Sequence, residues 1–137
     1  MLPTLLVIDD AAVHRGILCR MAEKAHFKAT GATSVEEADR LLQEHTFDCI
    51  TLDLSLGDRA GVEVLRLLFE RGIRAPVIII SGSDDTVLEE TLGIGKMMGL
   101  NIRQPIPKPI DLARLRSELC MIDKDFDLQK LARESVY

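Results

Sequence analysis

A doubly wound α/β fold, with one five-stranded parallel sheet and helices on both faces, is what this sequence predicts. Three observations point to it. Short apolar runs at residues 5–8, 49–52 and 77–80 are unbroken rather than alternating, the pattern of parallel strands buried on both faces. Segments with helical spacing of apolar residues stand between the runs, so strand and helix alternate about five times. Finally, Asp9, Asp10, Asp53, Ser81 and Lys108 all fall at or just beyond the C-terminal ends of predicted strands. In an open parallel sheet those ends form one edge, and ligands bind there, near the point where the strand order reverses.

Taken in order, residues 5–8 read as the first strand, and residues 11–24 as a helix with a stripe of Val13, Ile17, Leu18 and Met21. Residues 27–31 make a short, weaker strand. Ser34 followed by Glu37 is a capping-box pattern, opening a helix through Ala38, Leu41 and Leu42. Residues 49–52 form the third strand and residues 57–61 a turn. The next helix carries Val62, Leu65, Leu68 and Phe69, and Gly72 ends it. Pro76 leads into the most apolar strand, residues 77–80, and a helix follows over residues 86–98. Residues 101–106 are read as the last strand; its two prolines, Pro105 and Pro107, lack backbone donors and suit a sheet edge. Asp111 caps a final helix carrying Leu112, Leu115 and Leu119.

The 137 residues suit a single domain with a proper core. Hydrophobic content of 47% and charged content of 28% are those of a globular chain. A net charge of −5 argues against a broad nucleic-acid surface. The longest strong apolar run is strand-sized, so neither a membrane span nor a signal peptide is expected. Cys19, Cys49 and Cys120 are odd in number and widely spaced, which predicts reduced thiols and a cytoplasmic setting. Residues 1–122 are assigned to the domain. Residues 123–137, mostly charged with a thin stripe of Phe126, Leu128 and Leu131, are assigned to a C-terminal extension, helical or frayed.

The three acids decide the chemistry. If the first and third strands are neighbours, Asp9, Asp10 and Asp53 converge, and carboxylates in one small volume repel unless a cation joins them. A hard divalent ion with oxygen ligands is therefore expected. Singly, each residue has an ordinary explanation: Asp10 as a helix cap, Ser81 as a turn former, Lys108 as a solvated charge. Jointly, independent explanations need not fall at every strand end along one edge. His14, His26 and His45 share no motif and are read as incidental, and Met97 and Met98 are read as core.

The pieces Val7, Ile8, Asp9 and Asp10, then Leu52 and Asp53, Ser81 and Gly82, and Lys108 and Pro109 occur in an order and spacing that resemble the receiver domain of two-component response regulators. The resemblance covers roughly residues 4–120. It implies a flavodoxin-like strand order 2-1-3-4-5 and a phosphoacceptor that takes a phosphoryl group on Asp53 from a histidine kinase or phosphotransfer protein. Asp10 would bind Mg²⁺ directly and Asp9 mainly through a bound water, with the Ser55 backbone carbonyl completing the protein ligands. Lys108 and Ser81 would each reach a phosphoryl oxygen, and the peptide before Pro109 is expected to be cis. Such a domain catalyses only its own phosphorylation and dephosphorylation. Its output would be protein contact or homodimerisation through the face of the fourth helix, last strand and last helix, without direct binding of nucleic acid or membrane.

Departures from the family pattern fall in loops and in the switch. Gly57 stands where proline is common, and Ala60 and Gly61 where Asp and Gly are common. Pro105 replaces the aromatic ring that usually moves inward on phosphorylation. Gly93, Gly95 and Gly99 lie in or near the fourth helix and suggest one that is partly frayed at rest. Two alternatives accompany this reading. One is a non-phosphorylated pseudo-receiver acting as a scaffold; the other is the front piece of a longer regulator, such as a cyclic-di-GMP phosphodiesterase. A dehalogenase-type phosphatase would need a second acid where Ser55 stands. A dinucleotide-binding fold would need a glycine-rich turn after the first strand, where Asp9 and Asp10 stand instead.

Overall fold

Strands and helices alternate along the whole chain in the computed structural model, which describes residues 2–54, 60–82 and 85–134, without the side chains of residues 60, 85, 126, 127 and 129–134. The elements are β1 (Thr4–Ile8), α1 (Ala12–Lys24), β2 (Lys28–Ala32), α2 (Val35–Glu44), β3 (Cys49–Asp53), α3 (Ala60–Glu70), β4 (Val77–Ser81), α4 (Asp85–Met97), β5 (Ile106–Pro107) and α5 (Leu112–Glu134). The strands are parallel in the order β2-β1-β3-β4-β5, as expected. The order reverses between β1 and β3, so the crevice predicted for a ligand lies at the C-terminal ends of these two strands.

Alternate residues of each strand feed two cores. On one face Leu5, Val7, Ile78 and Ile80 pack with Leu18 and Ala22 of α1 and Leu115 and Leu119 of α5. On the other, Leu6, Ile8, Leu52 and Ile79 pack with Leu41 of α2 and Leu65 and Leu68 of α3. Every residue of β3 and β4 is buried, which is why their sequences lack polar alternation. Each fully buried Leu or Ile contributes about 1.5–3 kcal/mol.

Local signals hold the helix ends. The Ser34 hydroxyl accepts the Glu37 N–H at 3.2 Å, while the Glu37 carboxylate turns to the Thr33 hydroxyl, so only half of the capping box closes. Asp111 Oδ1 accepts the N–H groups of Ala113 and Arg114, as a cap should. Gly72, at φ +66°, ends α3 with paired bonds from Gly72 N–H to Phe69 O and from Ile73 N–H to Leu68 O. His26 takes the same left-handed position after α1, at φ 66°, and delivers Phe27 back into the core.

The fold departs from the sequence reading in several places. Val13 is 77% exposed: of the predicted stripe, Leu18 is buried and Met21 packs against the core, while Ala22 rather than Val13 completes the buried face of α1. Phe69, on α3, is 54% exposed, and Met97 is 89% exposed at the end of α4 rather than core. Gly61 belongs to α3 rather than to a turn, and it is buried; a Cβ there would come 2.8 Å from a Leu54 methyl, so a larger residue would push that side chain aside. The last strand lies later than expected. Within residues 101–106, only an isolated bridge of Ile102 to Val77 pairs with the sheet before Pro105 interrupts the ladder, and β5 then forms at Ile106–Pro107.

Candidate functional site

The pocket at the strand ends is assembled by register. Ile8 pairs with Leu52, so Asp9 and Asp53 leave adjacent strands side by side. Asp53 pairs with Ile80, and Ser81 with Pro107, which carries Lys108 to the same edge. The Lys108 N–H donates to the Ser81 carbonyl at 2.8 Å, and the peptide between Lys108 and Pro109 is cis, as expected.

Asp9 is fully buried and held from several sides. Its N–H donates to Ala32 O at 3.0 Å, its Oδ1 accepts the Ala11 N–H at 2.9 Å, and its carbonyl accepts from the Arg15 guanidinium at 2.9 Å. Gly31 makes room for that arginine, since a Cβ there would come 2.8 Å from Arg15 Cδ. With Oδ1 committed to the turn, Oδ2 faces the pocket. Asp53 is only 1% exposed, and Lys108 Nζ lies 2.7 Å from its Oδ2. A buried carboxylate needs such a partner, because its charge is otherwise poorly solvated. Ser81 is buried at the end of β4, while Asp10 is exposed at the rim.

The sequence reading set His14 aside, yet it stands in the pocket. Its Nδ1 contacts Asp9 Oδ2 and lies 3.3 Å from Asp53 Oδ2. The signal was present in the spacing: residues 14, 18 and 22 share one helical face, and Leu18 and Ala22 are its buried members. Among the described residues, Asp9, His14 and Asp53 offer ligand atoms that lie within 4.8 Å of one another, and Asp10 is outside that group. Opposite ligands of an octahedral ion at about 2.1 Å stand about 4.2 Å apart, so small shifts of these side chains would bring the donor set round one small divalent cation. Ser55, Gly57 and the rest of residues 55–59 lie outside the described residues, so no position is assigned to the predicted Ser55 carbonyl ligand.

Outside the pocket, the other histidines serve the fold. His26 takes the left-handed turn, and His45 caps α2 and packs edge-on against Phe47, with ring centroids 6.3 Å apart. Cys19, Cys49 and Cys120 are free thiols; burial pushes the Cys49 thiol up to about 12. Among the described residues, no helix is long and apolar enough to cross a membrane.

Comparison with known proteins agrees with this geometry. Residues 5–120 match the response regulator receiver domain. The regulatory protein VirG of Agrobacterium fabrum is 32% identical over 118 residues, covering 83% of this chain and 45% of its own length. The regulator of RpoS from Escherichia coli is 30% identical over 118 residues, covering 82% of this chain and 32% of its own length. The chain thus spans less than half the length of these relatives. Among solved structures, the receiver domain of the Francisella response regulator 1452 superposes with a TM-score of 0.75 at 26% identity, covering 90% of this chain and 98% of that one. A response regulator receiver protein from Pseudomonas putida does so with a TM-score of 0.72 at 28% identity, covering 87% and 95%. With the acids, the serine and the lysine at the strand ends of a sheet ordered 2-1-3-4-5, this chain belongs to the response regulator receiver domain family.

Proposed function

We propose that Asp53 is the phosphoacceptor of this receiver domain and takes its phosphoryl group from a histidine kinase or phosphotransfer protein. The observation that carries the reading is the pairing of a buried Asp53 carboxylate with Lys108 at 2.7 Å beside a second buried acid, Asp9. In the reaction an Asp53 carboxylate oxygen forms the new P–O bond as the donor's P–N bond breaks, and the leaving imidazole takes up a proton. Lys108 holds a phosphoryl oxygen as a point charge, and Ser81, one strand over, donates its hydroxyl to another. Asp9 and Asp53 would hold Mg²⁺, joined, as the resemblance implies, by Asp10 and the Ser55 carbonyl. The ion, when bound, neutralises charge on the acids and on the incoming phosphoryl group. Burial of Asp53 keeps the carboxylate poorly hydrated and so available for attack.

Output passes by protein contact through the face of α4, β5 and α5. Exposed apolar side chains support this: Val87 and Met97 on α4, and Met121 and Leu128 on α5. Free thiols and the absence of a membrane-length helix among the described residues support a cytoplasmic setting.

The test is intact-mass analysis after incubation with a small phosphodonor, with and without Mg²⁺, beside Asp53→Asn. The expected result is a Mg²⁺-dependent gain of one phosphoryl group that the variant lacks. A gain that persists in Asp53→Asn would place the acceptor elsewhere and sink the assignment. No gain in either protein, with Mg²⁺ binding also absent, would favour a scaffold that is never phosphorylated.

A further inference from the structure

We propose that His14 is a metal ligand, and that it turns the acid pocket into a mixed nitrogen–oxygen site favouring first-row transition ions such as Co²⁺ over Mg²⁺. The inference rests on reading that pocket as a divalent-cation site, and it names which ion the pocket selects.

The geometry leaves the imidazole no neutral role once an ion enters. His14 Nδ1 touches Asp9 Oδ2 and lies 3.3 Å from Asp53 Oδ2, so it stands within the volume that an ion between those two oxygens would take as its inner shell. An entering ion must either accept the nitrogen as a ligand or drive the ring out. The surroundings favour acceptance. Asp9 is fixed by its own backbone and by the Ala11 N–H, so it cannot follow a displaced ring. Helix α1 is anchored one and two turns further along by Leu18 and Ala22, both buried, and this holds the His14 backbone over the crevice. The side chain is only 21% exposed, so leaving the pocket means abandoning a largely buried position.

Facing two acceptor oxygens, Nδ1 carries the hydrogen in the ion-free pocket. A bound ion would replace that hydrogen, with the ring in its Nε2–H tautomer and the Nδ1 lone pair turned to the same point as the carboxylate oxygens. All-oxygen sites suit Mg²⁺, whereas an imidazole nitrogen adds most to ions further along the Irving–Williams series, from Mn²⁺ through Co²⁺ to Ni²⁺. One nitrogen among hard oxygens therefore changes selectivity without removing the capacity to bind Mg²⁺.

The experiment uses the wild-type chain, His14→Leu, His14→Gln and Asp53→Asn, each checked for folding by circular dichroism. Mg²⁺, Mn²⁺ and Co²⁺ are titrated separately by calorimetry, and the Mn²⁺ forms are examined by electron spin-echo envelope modulation for a directly bound imidazole nitrogen. The wild-type chain should show the nitrogen modulation, and both His14 variants should lack it. The ratio of Co²⁺ to Mg²⁺ affinity should fall by about tenfold or more in either His14 variant. An unchanged ratio, or a nitrogen signal absent from wild type or persisting in both His14 variants, would overturn the proposal while leaving the Mg²⁺ site intact. Failure of all three ions to bind, or binding unaffected by Asp53→Asn, would overturn the cation-site reading together with it.

Discussion

The acid side of the pocket and its lysine side are built on different foundations. Asp9 and Asp53 leave β1 and β3, five-residue strands buried at the centre of the sheet and paired on both edges. Lys108 leaves β5, a two-residue edge strand that follows Pro105 and ends in Pro107. Its neighbourhood is tied down by a few bonds: Lys108 N–H to Ser81 O, the Arg114 guanidinium to Pro105 O at 3.0 Å, and an Arg103–Glu118 ion pair at 3.6 Å. Regions with few backbone hydrogen bonds open at lower free energy than regions with many. The acids are thus held in fixed positions, while the cation that meets them rides on the part of the sheet most able to yield. Local opening is therefore expected at the β5 edge and its ties to α5 before it is seen at the acids.

The sharpest way to break the contrast is to cut each side of the sheet. Ile79→Ala, in the fully buried β4, is expected to cost about 2–5 kcal/mol in urea unfolding. Pro107→Ala, at an exposed edge position with no N–H to lose, should cost less than about 1 kcal/mol. Equal costs would mean that the edge is as tightly built as the centre. Next in size, Lys108→Ala removes the cation beside Asp53 and should destabilise by about 1–3 kcal/mol. Saturating Mg²⁺ should recover part of that loss in thermal melts, because an ion that binds only the folded protein stabilises it. No recovery would argue against the acids holding an ion.

Two smaller effects sharpen the comparison within the helices. Gly93→Ala meets open space and should stabilise by about 0.5–1 kcal/mol through helix propensity. Gly95→Ala would put a methyl 2.9 Å from Ile102, so its propensity gain should be cancelled or reversed in the same unfolding assay. The expectation of a frayed fourth helix thereby acquires a local alternative: Gly95 permits close packing, and Gly99, at φ +75°, ends the helix. The smallest effect is chemical. Cys120 is exposed and should label with a thiol reagent first, whereas Cys49, buried with its thiol pushed up to about 12, should remain unlabelled at pH 8 until the protein unfolds. Early labelling of Cys49, followed by mass spectrometry, would show the centre of the sheet opening.

Much of this molecule was legible from residue order. Apolar runs of strand length alternating with helical stripes define the layers, since a segment's periodicity depends only on its own residues. Ser34, Gly72 and Asp111 mark helix ends through bonds closed within a few residues of themselves. Asp9, Asp53, Ser81 and Lys108 could be assigned to one edge because parallel strands all point the same way. What remained for the tertiary structure was rotation and register. Periodicity says which residues of α1 share a face, but packing against the sheet chose the face of His14, Leu18 and Ala22 and left Val13 in solvent. The same holds for Phe69 and Met97, whose side chains the sequence reading had turned inward. The position of β5 also depended on its neighbour, because a proline-rich segment has few donors of its own and pairs only where β4 offers a partner. His14 belongs to this second group. Whether a histidine is incidental or part of a site depends on which side chains surround it in space, and Asp53 is brought beside it only when β1 and β3 become neighbours.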